Sequence, residues 1–167
     1  MLEIALEADE EWDSSRSWDE LVRNAAEAAI AESAVPHLST SKRKVELSVR
    51  LAGNDEVQTL NGQWRGKNTP TNVLSFPLLD ERELLEANVA GRELLLGDII
   101  LAHGVCESEA VERGVSVEQH ATHLIVHGTL HLLGYDHQGE DEAADMEARE
   151  IRALARLGIA NPYEVAA

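Results

Sequence analysis

Residues 116–137 read S-V-E-Q-H-A-T-H-L-I-V-H-G-T-L-H-L-L-G-Y-D-H, and this stretch carries the strongest structural signal in the chain. Ser116 and Gln119 have the spacing of a capping box, which is typical of the first turn of a helix. The residues that follow, as far as Leu133, are mostly apolar, so the helix is expected to be buried. Gly134 suits the left-handed conformation that ends a helix. The stretch therefore predicts a core helix followed by a turn.

Three histidines of this stretch have the spacing of a metal site. His127 and His131 lie four residues apart, so they share one helix face. On a straight helix His137 would lie about 15 Å further along the axis than His127, but a turn at Gly134 returns it. Three neutral imidazoles with a position left for water are typical of catalytic zinc. We predict one zinc ion at these three residues, since ordinary histidines near a helix end rarely show this full pattern.

The same spacing occurs in metzincin proteases, with one difference at position 128. Gly128 occupies the position of their glutamate base, so the pattern favours zinc hydrolysis but not peptide hydrolysis. His123 lies one turn before His127 on the same face, and we expect it to support a ligand or to be a buried polar residue. The other histidines are expected to be structural or on the surface: His37, His103 and His120.

The composition predicts one soluble domain over residues 1–167. The chain is 44% hydrophobic, and 167 residues are enough for one well-buried core and short for two. The single cysteine, Cys106, excludes an intramolecular disulfide and fits a reducing cytoplasm. The N-terminus lacks an export signal, and no stretch approaches the roughly 20 apolar residues of a membrane span. A cytoplasmic protein without membrane contact is expected.

The charge distribution is uneven. A net charge of −17 argues against binding of nucleic acid through an extended basic surface. Acidic residues crowd both ends of the chain, whereas the middle third is locally basic through Lys42, Arg43, Lys44, Arg50, Arg65 and Lys67. These residues either bind a polyanion or are solvated surface charges, and the sequence alone leaves both interpretations open.

Hydrophobic periodicity predicts an α+β fold, with a mixed sheet of about four strands covered by helices and the zinc helix in the core. Strands are expected at residues 2–8, 45–51, 71–77 and 94–102, the last of them central because it is apolar on both faces. Further helices are expected from a capping box at Ser17 towards residue 33, from Asn54 with Val57, Leu60 and Trp64 as its apolar face, at 103–113 and at about 141–157. The acidic, unperiodic residues 80–92 are expected to form a surface loop.

Four segments carry a further signal. They read H-G-T-L-H-L-L-G-Y-D-H at 127–137, L-N-G-Q-W-R-G-K-N-T-P-T-N-V-L-S-F-P at 60–77, L-G-D-I-I at 96–100, and M-E-A-R-E-I-R-A-L-A-R-L-G-I-A-N-P-Y at 146–163. In content and order these segments resemble the YbeY family of bacterial endoribonucleases. The resemblance implies a zinc-dependent, single-strand-specific endoribonuclease acting in 3′-end maturation of 16S ribosomal RNA and in ribosome quality control. The implied partners are single-stranded ribosomal RNA, the small ribosomal subunit and assembly proteins, with no DNA.

The resemblance also assigns individual residues. The residues that match the zinc ligands of the family, and its arginine near the site, are His127, His131, His137 and Arg65. Family members commonly have aspartates where this chain has Asn68 and Asn72. If those carboxylates act in catalysis, this chain differs from its relatives. We expect instead that they cap a turn, which asparagine also does.

The predicted chemistry is zinc-assisted hydrolysis of a phosphodiester, because zinc makes hydroxide available near neutral pH and polarises a phosphoryl oxygen. Arg65 is a planar, charged donor suited to two-point binding of a phosphate, unless it forms a surface ion pair. Asp98 or Asp136 would orient an imidazole, act as a base or cap a turn. Two other functions stay open: a metzincin-like metalloprotease with a base from elsewhere, and a non-catalytic, zinc-stabilised ribosome-assembly factor.

Overall fold

The computed structural model describes residues 1–88, 91–136 and 138–164, which form a four-stranded mixed sheet with helices on both faces. The strands are β1 (Leu2–Ala8), β2 (Val45–Ala52), β3 (Val73–Pro77) and β4 (Leu94–Ala102). Their order is β1-β2-β4-β3, in which β1, β2 and β4 are parallel and β3 is antiparallel to β4. The predicted α+β class, the mixed sheet and the interior position of β4 are confirmed.

The helices lie on both sides of this sheet. Within the described residues they are α1 (Trp18–Ala31), α2 (Asn54–Arg65), α3 (Glu81–Leu85), α4 (His103–Arg113), α5 (Val117–Leu132) and α6 (Glu140–Arg156), with short 3-10 turns at Pro36–Ser39 and Glu86–Asn88. The helices α1 and α5 cover one face of the sheet and α6 packs on both of them, whereas α2 packs on the opposite face. In the described part of the chain no helix is long and apolar enough to cross a membrane.

The helix α5 is buried along most of its length, as its apolar sequence predicted. Its first turn has the predicted capping box, in which Ser116 accepts a hydrogen bond from the backbone N–H of Gln119 and the Gln119 side chain accepts one from Ser116. The helix ends at Leu132, and Gly134 has a φ of 96°. A left-handed glycine therefore starts the turn, as expected.

Two glycines allow α5 to approach β4 closely. A Cβ added to Gly97 would lie 2.5 Å from the carbonyl oxygen of Phe76 and 2.7 Å from a methyl carbon of Leu132. A Cβ added to Gly128 would lie 3.2 Å from the side chain of Ile99. Position 128 therefore faces the sheet, and the close packing at both glycines fixes the depth of α5 in the core.

Two local predictions are wrong. Although α1 begins at Trp18, the Ser17 side chain makes no capping hydrogen bond, because its ψ of 71° departs from the extended conformation usual at this position. Part of the segment expected to be a loop is helical, since Asp80 forms a capping box with Glu83 at the start of α3. A helix of five residues is too short to show a hydrophobic period.

Much of the basic middle third is engaged with acidic side chains. Arg50 lies 2.8 Å from a carboxylate oxygen of Asp9 and 3.0 Å from one of Glu56. Lys44 lies 2.9 Å from a carboxylate oxygen of Glu3. At Lys44 and Arg50 the structure therefore supports ion-paired surface charge, and a continuous polyanion track does not form there.

Candidate metal centre

Two imidazoles converge at the C-terminal end of α5. His127 and His131 lie one helical turn apart, and their Nε2 atoms are separated by 3.0 Å. Their rings are nearly perpendicular, with an interplanar angle of 84° and centroids 4.5 Å apart. The helical spacing has therefore brought both nitrogens to one point, as predicted.

The hydrogen bond at Nδ1 of each ring determines which of its two nitrogens carries the hydrogen. Nδ1 of His131 donates to the backbone carbonyl oxygen of Tyr135, at 2.8 Å. Nδ1 of His127 donates to Oε1 of Glu150. Because a carbonyl and a carboxylate only accept hydrogen bonds, each neutral ring carries its hydrogen on Nδ1 and directs an Nε2 lone pair inward. Two facing lone pairs fit a metal cation, and the hydrogen bonds behind them resemble those that commonly orient metal-bound histidines.

The third predicted ligand, His137, lies outside the described residues. Tyr135 and Asp136, just before it, line the same groove as His127 and His131. Among the described residues no group of three or more histidine, cysteine or acidic side chains has the geometry to hold a metal ion. The described centre consequently comprises two imidazoles, and a complete ligand set requires at least one donor beyond them.

Behind His127 lies the buried carboxylate of Glu150, on α6. It is fully buried, and it accepts hydrogen bonds from His127, from Nε2 of His123 at 3.2 Å and from the hydroxyl of Tyr163. Burial alone would raise the pKa of this carboxyl group, but the hydrogen bonds from His123, His127 and Tyr163 outweigh it and lower the pKa to about 2. Glu150 is therefore ionised, and it links His123 to His127 by hydrogen bonds in addition to the edge-to-face contact of the two rings.

Neither Glu150 nor Tyr163 was predicted from the sequence as part of this site. The buried residues of α6 follow the spacing of one helix face, and they are Met146, Glu150, Ala153 and Leu154. A glutamate within an otherwise apolar stripe was the available signal, because a buried carboxylate requires hydrogen-bond donors.

Of the two aspartates expected near the imidazoles, only one lies beside them. Asp136 lines the groove with His127 and His131. Asp98 instead lines a separate groove on the other face of the sheet, together with Ser48. The interpretation of Asp98 as an orienting or basic residue at this centre is therefore wrong.

The imidazoles open onto a groove of about 680 Å³. Arg65, the last residue of α2, lines this groove together with Trp64 and residues of β3. The side chain of Arg65 is exposed, and in the described part of the chain it forms no salt bridge. The structure thus places the predicted arginine in the same groove as the two histidines and does not support the ion-pair alternative.

Asn72 and Asn68, the two asparagines near the predicted arginine, form hydrogen bonds within the fold. The side-chain oxygen of Asn72 accepts a hydrogen bond from the next backbone N–H at 2.7 Å, and its amide donates to Glu109 at 3.1 Å. An aspartate at this position would instead face the Glu109 carboxylate, which also contacts His120 at 2.8 Å. Asn68 accepts hydrogen bonds from the side chain of Gln58. Asn72 thus bonds to the local backbone through its side-chain oxygen, whereas the Asn68 side chain contacts Gln58 and makes no such bond among the residues that the structure describes.

Position 128 cannot supply a glutamate base to this groove without repacking. Its Cβ direction leads to Ile99, between α5 and β4, where a Cβ would already be 3.2 Å from the isoleucine. A glutamate there would place a carboxylate in the apolar layer between helix and sheet, so the packing disfavours the metzincin residue at this position.

A family model described as Endoribonuclease YbeY matches residues 5–158. The chain belongs to the YbeY endoribonuclease family. An Endoribonuclease YbeY from Novosphingobium aromaticivorans is 52% identical over 164 residues, covering 97% of this chain and 96% of the relative. Another, from Rhizorhabdus wittichii, is 49% identical over 167 residues, covering 99% and 98%.

Membership of the YbeY family confirms the predicted resemblance, and hydrolysis of RNA phosphodiester bonds is the enzyme class of that family. The fold has a solved counterpart in a Thermotoga maritima protein studied in solution. That structure aligns with a TM-score of 0.54 and 24% sequence identity, over 95% of this chain and 92% of that one. The arrangement of strands and helices around the imidazole pair is therefore part of a known α+β fold.

Proposed function

We propose that this chain is a zinc-dependent endoribonuclease that cleaves single-stranded RNA in the groove between the imidazoles of α5 and Arg65. The observation that carries the proposal is the pair of facing Nε2 atoms, 3.0 Å apart, in a groove that also contains the arginine. The proposed ligands are His127, His131 and His137. With the third histidine the site would have the ligand spacing of metzincins without their glutamate.

Imidazole is a preferred ligand of zinc, and three of them with an open position are typical of catalytic sites. When bound, such an ion supplies a Lewis acid that polarises a phosphoryl oxygen and acidifies water. Glu150 and the Tyr135 carbonyl hold the two imidazoles in the orientation and tautomer that the ion requires.

Arg65 has the complementary role on the substrate side. Its guanidinium can donate two parallel hydrogen bonds to a phosphate, which positions the scissile group and stabilises negative charge in the transition state. Its position in the groove, exposed and without a salt bridge among the described residues, leaves its donors available to a ligand. The phosphodiester is therefore proposed to lie between Arg65 and the imidazole pair.

The family resemblance also supports a proposal for the role of the protein in the cell. We infer maturation of the 3′ end of 16S ribosomal RNA and ribosome quality control, by a single cytoplasmic domain that works with the small ribosomal subunit and assembly proteins. A net charge of −17 gives the protein little general attraction for RNA. Binding to naked RNA should consequently be weak and salt-dependent, with protein partners supplying much of the targeting.

The central test offers zinc-loaded protein three substrates: a labelled single-stranded RNA, the same sequence as a duplex, and casein. We expect cleavage of the single strand, its loss after chelation and its recovery with zinc, and no cleavage of casein. His131→Ala should abolish RNA cleavage, because it removes one of the two converging nitrogens.

His103→Ala is the matched control, since this histidine packs against Trp12 and lies outside the groove. It should retain cleavage. RNA cleavage that persists in His131→Ala would indicate a contaminating nuclease and remove the main support for the proposal. Casein cleavage that depends on His131 would instead favour the protease.

A further inference from the structure

Trp64 differs sharply from the other two tryptophans in its environment. Trp12 and Trp18 are 2% and 6% exposed and contact each other edge to face, whereas Trp64 is 70% exposed. The helical pattern predicted that Trp64 would share the buried face of α2 with Val57. The structure buries Val57 but leaves the indole in solvent, immediately before Arg65. Core packing therefore does not account for the position of this indole, and its face is accessible to a ligand.

Phe76 of β3 supports the exposed indole. The two ring centroids are 6.1 Å apart with an interplanar angle of 62°, an edge-to-face contact that restrains Trp64. Both rings line the groove of the imidazoles, and both also line the groove of about 730 Å³ on the open face of the sheet. The aromatic pair therefore lies where the two grooves meet, next to the proposed phosphate site at Arg65.

We propose that Trp64, supported by Phe76, stacks against an unpaired base of the bound RNA and thereby selects single-stranded over duplex RNA. This inference rests on the proposed function and names the residue that confers its strand preference. Bases of a duplex are stacked on one another and paired, whereas an unpaired base can present its face to an aromatic side chain.

The charges around the aromatic pair favour a base as its occupant. The second groove contains Glu7 and Asp98, and its one arginine, Arg50, is already bonded to Glu56 and Asp9. This groove attracts a phosphate backbone only weakly. Trp64 and Phe76 instead give the groove an uncharged surface on which a base can stack. Arg65 then holds a phosphate while the residue before it holds a base of the same strand.

The distribution of tryptophans provides a direct measurement. Because Trp12 and Trp18 are buried, a change in tryptophan fluorescence on binding reports mainly on Trp64. Zinc-loaded protein is mixed in a stopped-flow instrument with a short single-stranded RNA, with a duplex of the same sequence, and with an abasic strand of equal length and charge. We expect rapid quenching by the intact single strand, before cleavage, and none by the duplex or the abasic strand.

Variants test the functional consequence. Trp64→Leu should weaken binding of single-stranded RNA by about 10-fold and reduce the ratio of single-strand to duplex cleavage, whereas Trp64→Phe should retain most of both. Leu95→Ala is the matched control, because Leu95 is also an exposed apolar residue, 50% exposed, but lines neither groove. It should behave as the wild type.

The stacking proposal is overturned if the abasic strand quenches as strongly as the intact one, or if Trp64→Leu keeps the wild-type preference for single strands. Either result would leave the nuclease assignment standing, since that depends on RNA cleavage and its loss in His131→Ala. Absence of RNA cleavage by the wild type would overturn the nuclease assignment even where the indole is quenched.

Discussion

On one side of the imidazole pair, here the inner side, Glu150, His123 and Tyr163 form a hydrogen-bonded cluster around a carboxylate with no solvent exposure. On the other, the outer side, Trp64 and Arg65 project from the end of α2 into an open groove. On the inner side Glu150 holds the proposed ligand His127 and is itself bonded to His123 and Tyr163, whereas the outer residues face the space proposed for RNA. The centre thus has a preformed inner wall, formed by Glu150, His123 and Tyr163. Its outer wall, formed by Trp64 and Arg65, is open and is proposed to bind the RNA.

This difference separates two kinds of energetic effect. A buried hydrogen-bonded carboxylate cannot be removed without leaving its donors unsatisfied, so changes on the inner side should alter folding stability and metal affinity. Exposed side chains contribute little to the folded state, so changes on the outer side should alter RNA binding and catalysis but not stability.

Glu150→Ala should have the largest effect on stability. It deprives His123, His127 and Tyr163 of their common acceptor, and should lower the free energy of unfolding by at least about 3 kcal/mol, since hydrogen bonds to a charged group contribute most. Urea denaturation with a chelator present measures this without a contribution from metal. Glu112→Ala removes an exposed carboxylate from α4 and should change stability by less than about 0.5 kcal/mol.

The conservative variant Glu150→Gln separates positioning from packing. An amide keeps the shape but cannot accept all three hydrogen bonds, so zinc affinity, measured by competition with a chelator, should fall 10- to 100-fold. Unchanged zinc affinity in this variant would show that Glu150 supports only the fold. The inner wall would then have no effect on metal binding that the outer wall lacks.

The imidazole pair and the inner wall differ in how far the sequence predicts them. The convergence of His127 and His131 depends only on the period of one helix, so the spacing was sufficient. The contact between His127 and Glu150 spans 23 residues and forms only when α6 packs on α5. No local pattern encodes that packing, and only the apolar stripe of α6 hinted at it.

The error at Asp98 has a different physical origin. Strand alternation places residue 98 on the same face as Leu94 and Leu96, which is the face covered by α5. The register of β4 against β2 shifts between Leu95 and Gly97, so the buried positions change from 94 and 96 to 99 and 101. One irregularity in the strand therefore moved Asp98 to the open face.

Arg65→Ala tests the outer wall and should leave stability unchanged. We expect kcat/KM for single-stranded RNA to fall about 100-fold, as on loss of a donor to developing charge. The thermal midpoint and zinc content should equal those of the wild type, and Arg65→Lys should be intermediate because it keeps the charge but loses two-point binding.

Lys67→Ala is the control for charge, because Lys67 is an exposed cation two residues away that does not line the groove. It should change kcat/KM by no more than a few-fold. If Arg65→Ala instead loses zinc, the arginine is structural, and the outer side supports the metal centre just as the inner side does.

Tyr163→Phe is the smallest and most selective change to the inner wall. It removes one of the three donors to Glu150 and keeps the ring, whose centroid lies 5.7 Å from that of His123. Stability should fall by about 1 kcal/mol. Tyr135→Phe provides the contrast, since its hydroxyl accepts a hydrogen bond from the exposed N–H of Ala34, which water can replace. Both variants remove one phenol oxygen, and the comparison tests what that oxygen contacts. Equal losses of stability would show that the bond to the buried carboxylate makes the Tyr163 hydroxyl no more stabilising than that of Tyr135.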